Sequence, residues 1–301
     1  MAIINNAHPG SQLNLLCLIY RVLNRSPNKY SLEELYGLCR PEELLWKDDH
    51  KKRFRENFNF WKKQGWKLWD EDAQQKIYLL ESIEGEVTPE KVANIVRQKF
   101  FQNIDEKFLE ADNKEVAQLF RGLAFILSAE VFAPFKGESI TKENLDAKIR
   151  ELFNDYPLND SEKSYFLEYC HFLGFLELSS PSEYVVDPTK AVKNVLPYVF
   201  ENDAQLEIKN FIDSLSEFLP VIDGGFYKKN VENFLAERHG ISFGSKRISP
   251  ALSHALQRIS HEGAIRFESL SDDSSGMILN TPIDSRTISV VHFNRELFNA
   301  K

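Results

Sequence analysis

One arrangement of residues occurs three times along this chain, and it restricts the possible folds more than any other feature. In its last occurrence, SPALSHALQRISHEGAIRFESLSDDSSGMIL from Ser249 to Leu279, Ser249 is placed to cap a helix whose first position is Pro250, where a missing N–H costs nothing. Leu252, Leu256 and Ile259 then recur at helical spacing, and Gly263 ends the run where a left-handed residue is wanted. Ala264, Ile265 and Phe267 form a short strand-type run, SLSDDSSG a polar turn, and Met277 to Leu279 a second apolar run. The same order surrounds Gly65, with Phe58 and Trp61 before it, Trp66 to Trp69 after it, DEDAQQ as the tip and Ile77 to Leu80 returning. It surrounds Gly174 as well, with Leu167 and Cys170, then Phe175 to Leu178, SSPSE, and Tyr184 to Val186. A capped helix feeding a two-stranded hairpin is the back half of a winged helix-turn-helix. The copies stand too far apart for a solenoid, whose period is roughly 20–50 residues. The expected fold is therefore mainly α with small β-hairpin wings (α+β): three tandem winged helix-turn-helix units joined by helical connectors, over 1–85, 86–200 and 201–301.

Composition enters as a set of exclusions. Cys17, Cys39 and Cys170 have neither metal-type spacing nor an even count, which fits buried thiols in a reducing cytoplasm. The apolar LLCLI run at 15–19 is far shorter than the ~20 residues a membrane span needs, so a soluble cytoplasmic protein is expected. The net charge of −8 argues against a surface coated in nucleic acid, which makes the distribution of charge the useful quantity.

Basic charge concentrates around the first repeat. Lys47, Lys51, Lys52, Arg53, Arg55, Lys62, Lys63 and Lys67 stand against Asp48, Asp49 and Glu56. On a helix over 51–64, Phe54, Phe58 and Trp61 share one face, while Lys52, Arg55, Asn59, Lys62 and Lys63 share the opposite one. That face suits phosphates, with Arg55 and Asn59 able to reach base edges. The same pattern also fits a solvated basic face beside an aromatic core.

Other signals place the remaining elements. Ser11 to Leu23 reads as a buried first helix, Ser31 to Glu34 has capping-box spacing, and Thr88 with Pro89 opens a helical stretch through Val92 to Ile104 and Asn113 to Phe132. Around the second repeat the outward face carries Glu162, Tyr165, Glu168, Tyr169 and Phe172. Carboxylates there repel phosphate, so Tyr165, Tyr169 and Phe172 are expected to contact protein. PTKAVKNVLPYVFE reads as a connecting helix kinked or ended at Pro197. In the third repeat Lys246 and Arg247 are candidates for phosphates and Gln257 or Arg258 for bases. His254 and His261 lie on the same face, where they are mostly neutral at pH 7. Arg286 to Phe293 reads as a closing strand.

The chain holds no G-x-x-x-x-G-K-[ST], H-E-x-x-H, G-x-S-x-G or C-x-x-C. Asp272 and Asp273 are paired carboxylates on a predicted turn, where solvation accounts for them. No catalytic residue, metal ligand or cofactor is assigned.

The order of three helix-glycine-wing units, and above all KRISPALSHALQRISHEGAIRFESLSDD, resembles the G component of the bacterial Dpd systems, which insert 7-deazapurine bases into DNA and restrict DNA lacking them. The resemblance implies a non-catalytic accessory subunit of an anti-phage restriction machine, working beside helicase and nuclease partners. The expected function is a DNA-contacting scaffold that binds double-stranded DNA non-specifically and docks other subunits. The alternatives are a protein-protein adaptor without DNA binding, or a winged-helix transcriptional regulator.

Overall fold

Side-chain caps at Ser31, Thr88, Asn159 and Ser249 mark where several of the helices begin. The computed structural model describes residues 2–40, 48–63, 65–110, 115–128, 134, 157–240, 244, 246–270, 275–280 and 285–299, in two compact units, Met1–Asn103 and Ile104–Lys301. In the first unit α1 (Leu13–Arg25) follows a short 3-10 turn, Pro9–Ser11. Helix α2 (Leu32–Cys39) opens on the expected capping box, in which the Ser31 hydroxyl accepts from the Glu34 amide and the Glu34 carboxylate accepts from the Ser31 amide. Helix α3 (Asp48–Phe60) leads through Gly65 to a hairpin of β1 (Trp69–Glu71) and β2 (Ile77–Leu79), paired antiparallel with Trp69 opposite Leu79. Helix α4 (Pro89–Gln102) opens on Thr88, whose hydroxyl accepts from the Lys91 amide, with Pro89 at its first position. It belongs to the first unit, although the sequence places it in a connector.

Aromatic rings fill this unit. Phe58 stacks on Trp69 at 5.3 Å and Trp61 on Phe100 at 5.8 Å, all of them buried. The Trp69 indole N–H donates to the Phe58 carbonyl at 3.1 Å, so the hairpin is tied to α3 by a hydrogen bond as well as by apolar contact.

The second unit is built around α5 (Ala117–Ser128), buried from Leu119 to Leu127. Gly122 lets the ring of Phe166 lie against the helix: a Cβ there would meet it at 2.6 Å. Phe166 is on α6 (Asp160–Phe172), capped by Asn159 and Glu162. After Gly174 come β3 (Leu176–Ser180) and β4 (Glu183–Val186), an antiparallel hairpin. Helix α7 (Thr189–Val199) contains Pro197 in its last turn and runs on to Val199.

The last third departs from expectation. Strand β5 (Gln205–Glu207) precedes α8 (Ile208–Phe218), α9 (Phe226–His239) and α10 (Pro250–His261). Next come β6 (Ile265–Glu268), β7 (Met277–Asn280), β8 (Ser285–Ile288), β9 (Val290–Phe293) and a short α11 (Arg295–Asn299). The expected hairpin between 264–267 and 277–279 does not form: β6 pairs with β9, and β7 pairs with β8. The sheet order is β5-β9-β6. The predicted single closing strand over 286–293 is two strands that serve different sheets. Their junction is Ser289, buried, whose amide donates to the Glu268 carbonyl and whose carbonyl accepts from the Ile208 amide. Burial explains the choice, because Ile265, Val291 and Phe293 pack inward together when β6 lies beside β9. Asp272 and Asp273 fall outside the described residues.

The three glycines on which the sequence reading turns all adopt positive φ, +106° at Gly65, +82° at Gly174 and +82° at Gly263. Each follows the end of a helix, where a Cβ is strained in this conformation.

Candidate functional site

Helix α3 presents the face that the sequence singles out, but acidic neighbours have taken up part of its charge. Phe54, Phe58 and Trp61 are buried, while Lys52, Arg53, Arg55, Asn59 and Lys63 are exposed. Lys51 lies 2.7 Å from Glu33 of α2, and Arg55 pairs with the same carboxylate. These two hydrogen-bonded cations hold the Glu33 carboxyl below its ordinary range. Lys62 lies 2.9 Å from Glu71 and 3.5 Å from Asp70 in the hairpin. Burial alone would lower the Lys62 ammonium, but the two carboxylates outweigh it and raise its pKa. Lys52 stands 4.0 Å from Glu56, and the Lys63 ammonium lies 5.2 Å from the Phe60 ring centre. The cationic stripe that remains outward consists of Lys52, Arg53 and Lys63, with Asn59 among them. Sequence reasoning missed Glu33, Asp70 and Glu71 as partners, because nothing local brings α2 or the hairpin beside α3. Lys47 lies outside the described residues.

The outward aromatic face of α6 is smaller than expected. Tyr169 is fully buried, with Phe166, Leu167 and Cys170, so it belongs to the interior and not to a docking surface. The apolar arc is wider than two residues per turn, and Tyr169 falls inside it. Tyr165 and Phe172 are half-buried. Glu162 is occupied by the cap at Asn159. The His171 ring bonds the Leu176 carbonyl at 3.0 Å and packs edge-on against Tyr184.

Helix α10 needs the largest correction. Arg258, expected to reach bases, instead pairs with Glu177 of β3 at 2.9 Å and with Asp187, just beyond β4. Asp187 is buried and needs a cation there. Burial pushes its carboxyl up, but hydrogen bonds from His254 and Thr189 and the Arg258 charge prevail and hold it at about 2. Lys193 of α7 reaches Glu262 at 2.5 Å, a further tie across the same contact. The face read as groove-facing is thus an internal interface between α10 and the β3–β4 region. Gln257 is half-buried at its edge, and His261 is exposed.

Lys246 and Arg247 remain exposed at the mouth of a cleft of about 950 Å³ in the second unit. Their segment is held by main-chain bonds to β7: the Ile278 amide donates to Lys246 at 2.8 Å, and the Ile248 amide donates to Ile278 at 2.9 Å. Lys209 of α8 and Lys229 of α9, both exposed, complete the rim. At the floor Lys228, 2% exposed in its side chain, pairs with Asp223 and stands 3.3 Å from the Leu127 carbonyl. The other Asp223 oxygen accepts from the Ser249 amide at 2.6 Å, so one carboxylate joins the cleft floor to the start of α10. Ser249 caps that helix as its sequence predicts. Burial also raises the carboxyl of Glu232, which lines the cleft. These cations come from three separate segments, and no local sequence signal relates them.

A family model described as DpdG-like matches residues 1–273. The chain belongs to the DpdG-like family. Membership implies a role in the multi-subunit Dpd defence system, as the resemblance of the three-unit order and of its last stretch suggests. No curated protein and no solved structure matches the chain. In this DpdG-like protein no helix among the described residues is long and apolar enough to cross a membrane. Among the same residues no group of three or more His, Cys, Asp or Glu is placed to hold a metal ion.

Proposed function

We propose that this DpdG-like protein is a non-catalytic, DNA-contacting and scaffolding subunit of a bacterial restriction and anti-phage complex, acting in the cytoplasm. The observation that carries the reading is the outward stripe of Lys52, Arg53 and Asn59 on α3, continued by Lys63 in the turn that follows it, opposite a fully buried aromatic face and directly before the Gly65 bend. Phosphates need exposed cations on a rigid element, and α3 supplies both. Lys246 and Arg247 are assigned a second, smaller share of phosphate contact.

In this reading the three helix-glycine-strand units are winged helices, within three divisions at 1–85, 86–200 and 201–301. What supports it is the positive φ shared by the three glycines, the hairpins after the first two, and the β5-β9-β6 order beside α10 in the third. The adaptor alternative gains from α10, whose outward face is spent on an internal contact, and from the exposed ring pair of Tyr198 and Phe218, 5.8 Å apart.

Mobility-shift titration against duplex DNA at several salt concentrations tests the proposal. Each phosphate contact steepens log K against log[salt] by ~0.9. Lys52→Glu combined with Lys63→Glu is expected to weaken binding across all sequences and to flatten that slope by about 2. Unaltered binding in the double variant removes α3 from the interface, and no shift at low salt leaves the adaptor reading.

A further inference from the structure

We propose that the cleft bounded by α8, α9 and the 246–250 segment binds a free phosphate-bearing small molecule of the nucleotide class. Lys209, Lys229, Lys246 and Arg247 stand around one opening, and they converge from three segments that the fold brings together. The acids at the floor are engaged internally: Asp223 bonds Lys228 and the Ser249 amide, and Glu232 stands 4.0 Å from Lys228. Among the described residues the rim therefore carries four cations, Lys209, Lys229, Lys246 and Arg247, beside one exposed acid, Asp213. Ile212, Ile248 and Met277 supply an apolar wall, and Ser128 and Asn280 supply hydrogen-bonding groups. A volume of about 950 Å³ lies at the upper end of the ~300–1,000 Å³ usual for small-ligand sites.

Size and lining separate this ligand from DNA. A duplex, whose major groove alone is about 12 Å wide, can touch the rim but cannot enter. A single strand is held mainly by stacking on aromatic side chains, and among the described residues none lines the cleft. A nucleoside polyphosphate uses each feature present: cations for phosphates, the apolar wall for a base, and polar groups for the sugar and base edges. Lys246 and Arg247 are shared with the DNA-contact reading, but Lys209, Lys229 and the interior of the cleft take no part in it, so the inference stands apart from that reading.

Isothermal titration of the full chain with ATP, and separately with inorganic tripolyphosphate, tests the site. Both are expected to bind at a single site per chain. Lys209→Ala with Lys229→Ala is expected to weaken ATP at least tenfold while leaving the melting temperature unchanged, because both side chains are exposed. Lys246→Glu with Arg247→Glu is expected to do the same, and Lys52→Glu with Lys63→Glu to leave ATP binding as it was. Absence of binding at millimolar ATP overturns the proposal, as does an affinity that survives both rim variants. Tripolyphosphate binding without any ATP binding also overturns it, since the apolar wall would then have no role. A chain that binds ATP but shifts no duplex keeps the cleft and loses the DNA reading, whereas one that shifts duplex and ignores ATP loses the cleft alone.

Discussion

Arg258 shows how one side chain can be assigned to opposite roles by its neighbours. On a helical wheel it is an outward cation on a candidate groove-reading helix, but in the fold its guanidinium meets Glu177 and the buried Asp187. Removing it leaves Asp187 with only its hydroxyl, amide and imidazole partners. Arg258→Ala is therefore expected to cost about 1–3 kcal/mol, measured by urea unfolding, while duplex affinity stays within twofold. The same carboxylate makes stability depend on pH. Its folded pKa, about 2, lies below the unfolded value of about 3.9, so the folded state gains fully above pH ~4 and loses that gain as pH falls toward 2. Comparing unfolding free energies of the wild type and Asp187→Asn between pH 6 and 2.5 checks this: the acid-side slope should be smaller in the variant. Tyr169 makes the complementary point, since a polar-tipped ring read as outward is buried. Residue type constrains burial only loosely for an amphipathic side chain.

Helices and hairpins were more legible than side-chain partners, and the caps were the most legible of all. Ser31 with Glu34, Thr88 with Pro89, and Ser249 with Pro250 start helices as their spacing predicts, because capping acts over three or four residues and needs nothing distant. The glycine bends are local for the same reason. At Gly174, with φ +82°, Gly174→Ala is expected to lower stability by about 1–2 kcal/mol through backbone strain, read as a lower denaturation midpoint with unchanged m. Gly122 works differently, since its backbone is helical and its lack of a Cβ makes room for Phe166. Gly122→Ala should therefore cost about 1–3 kcal/mol by overpacking, and Phe166→Leu should recover part of the loss. Strand partners were not legible. Strands β6 and β7 are neighbours in sequence and both apolar, yet each pairs elsewhere.

The division of the chain into Met1–Asn103 and Ile104–Lys301 bears on how the whole molecule is organised. Residues 1–103 carry their own aromatic core and a hairpin tied to it. Expressed alone, this segment is expected to unfold cooperatively in urea and to retain the duplex affinity assigned to α3, a result that gel shift and circular dichroism can check together. The DpdG-like family match covers the first unit and the second as far as residue 273.

What the amino-acid sequence determined by itself was every feature whose causes lie within one turn or one bend: the helix starts, the left-handed glycines, the first two hairpins, and the buried stripe of Phe54, Phe58 and Trp61. The family resemblance was equally legible, because a family is recognised by residue order along most of the chain. Only the tertiary structure decided that β9 lies between β5 and β6, that Arg258 serves Asp187, and that lysines from α8 and α9 share a cleft with Arg247. The physical reason is common to all three. Burial and charge pairing are settled between segments far apart in sequence, and a strand edge or a guanidinium accepts whichever partner the packed core brings to it.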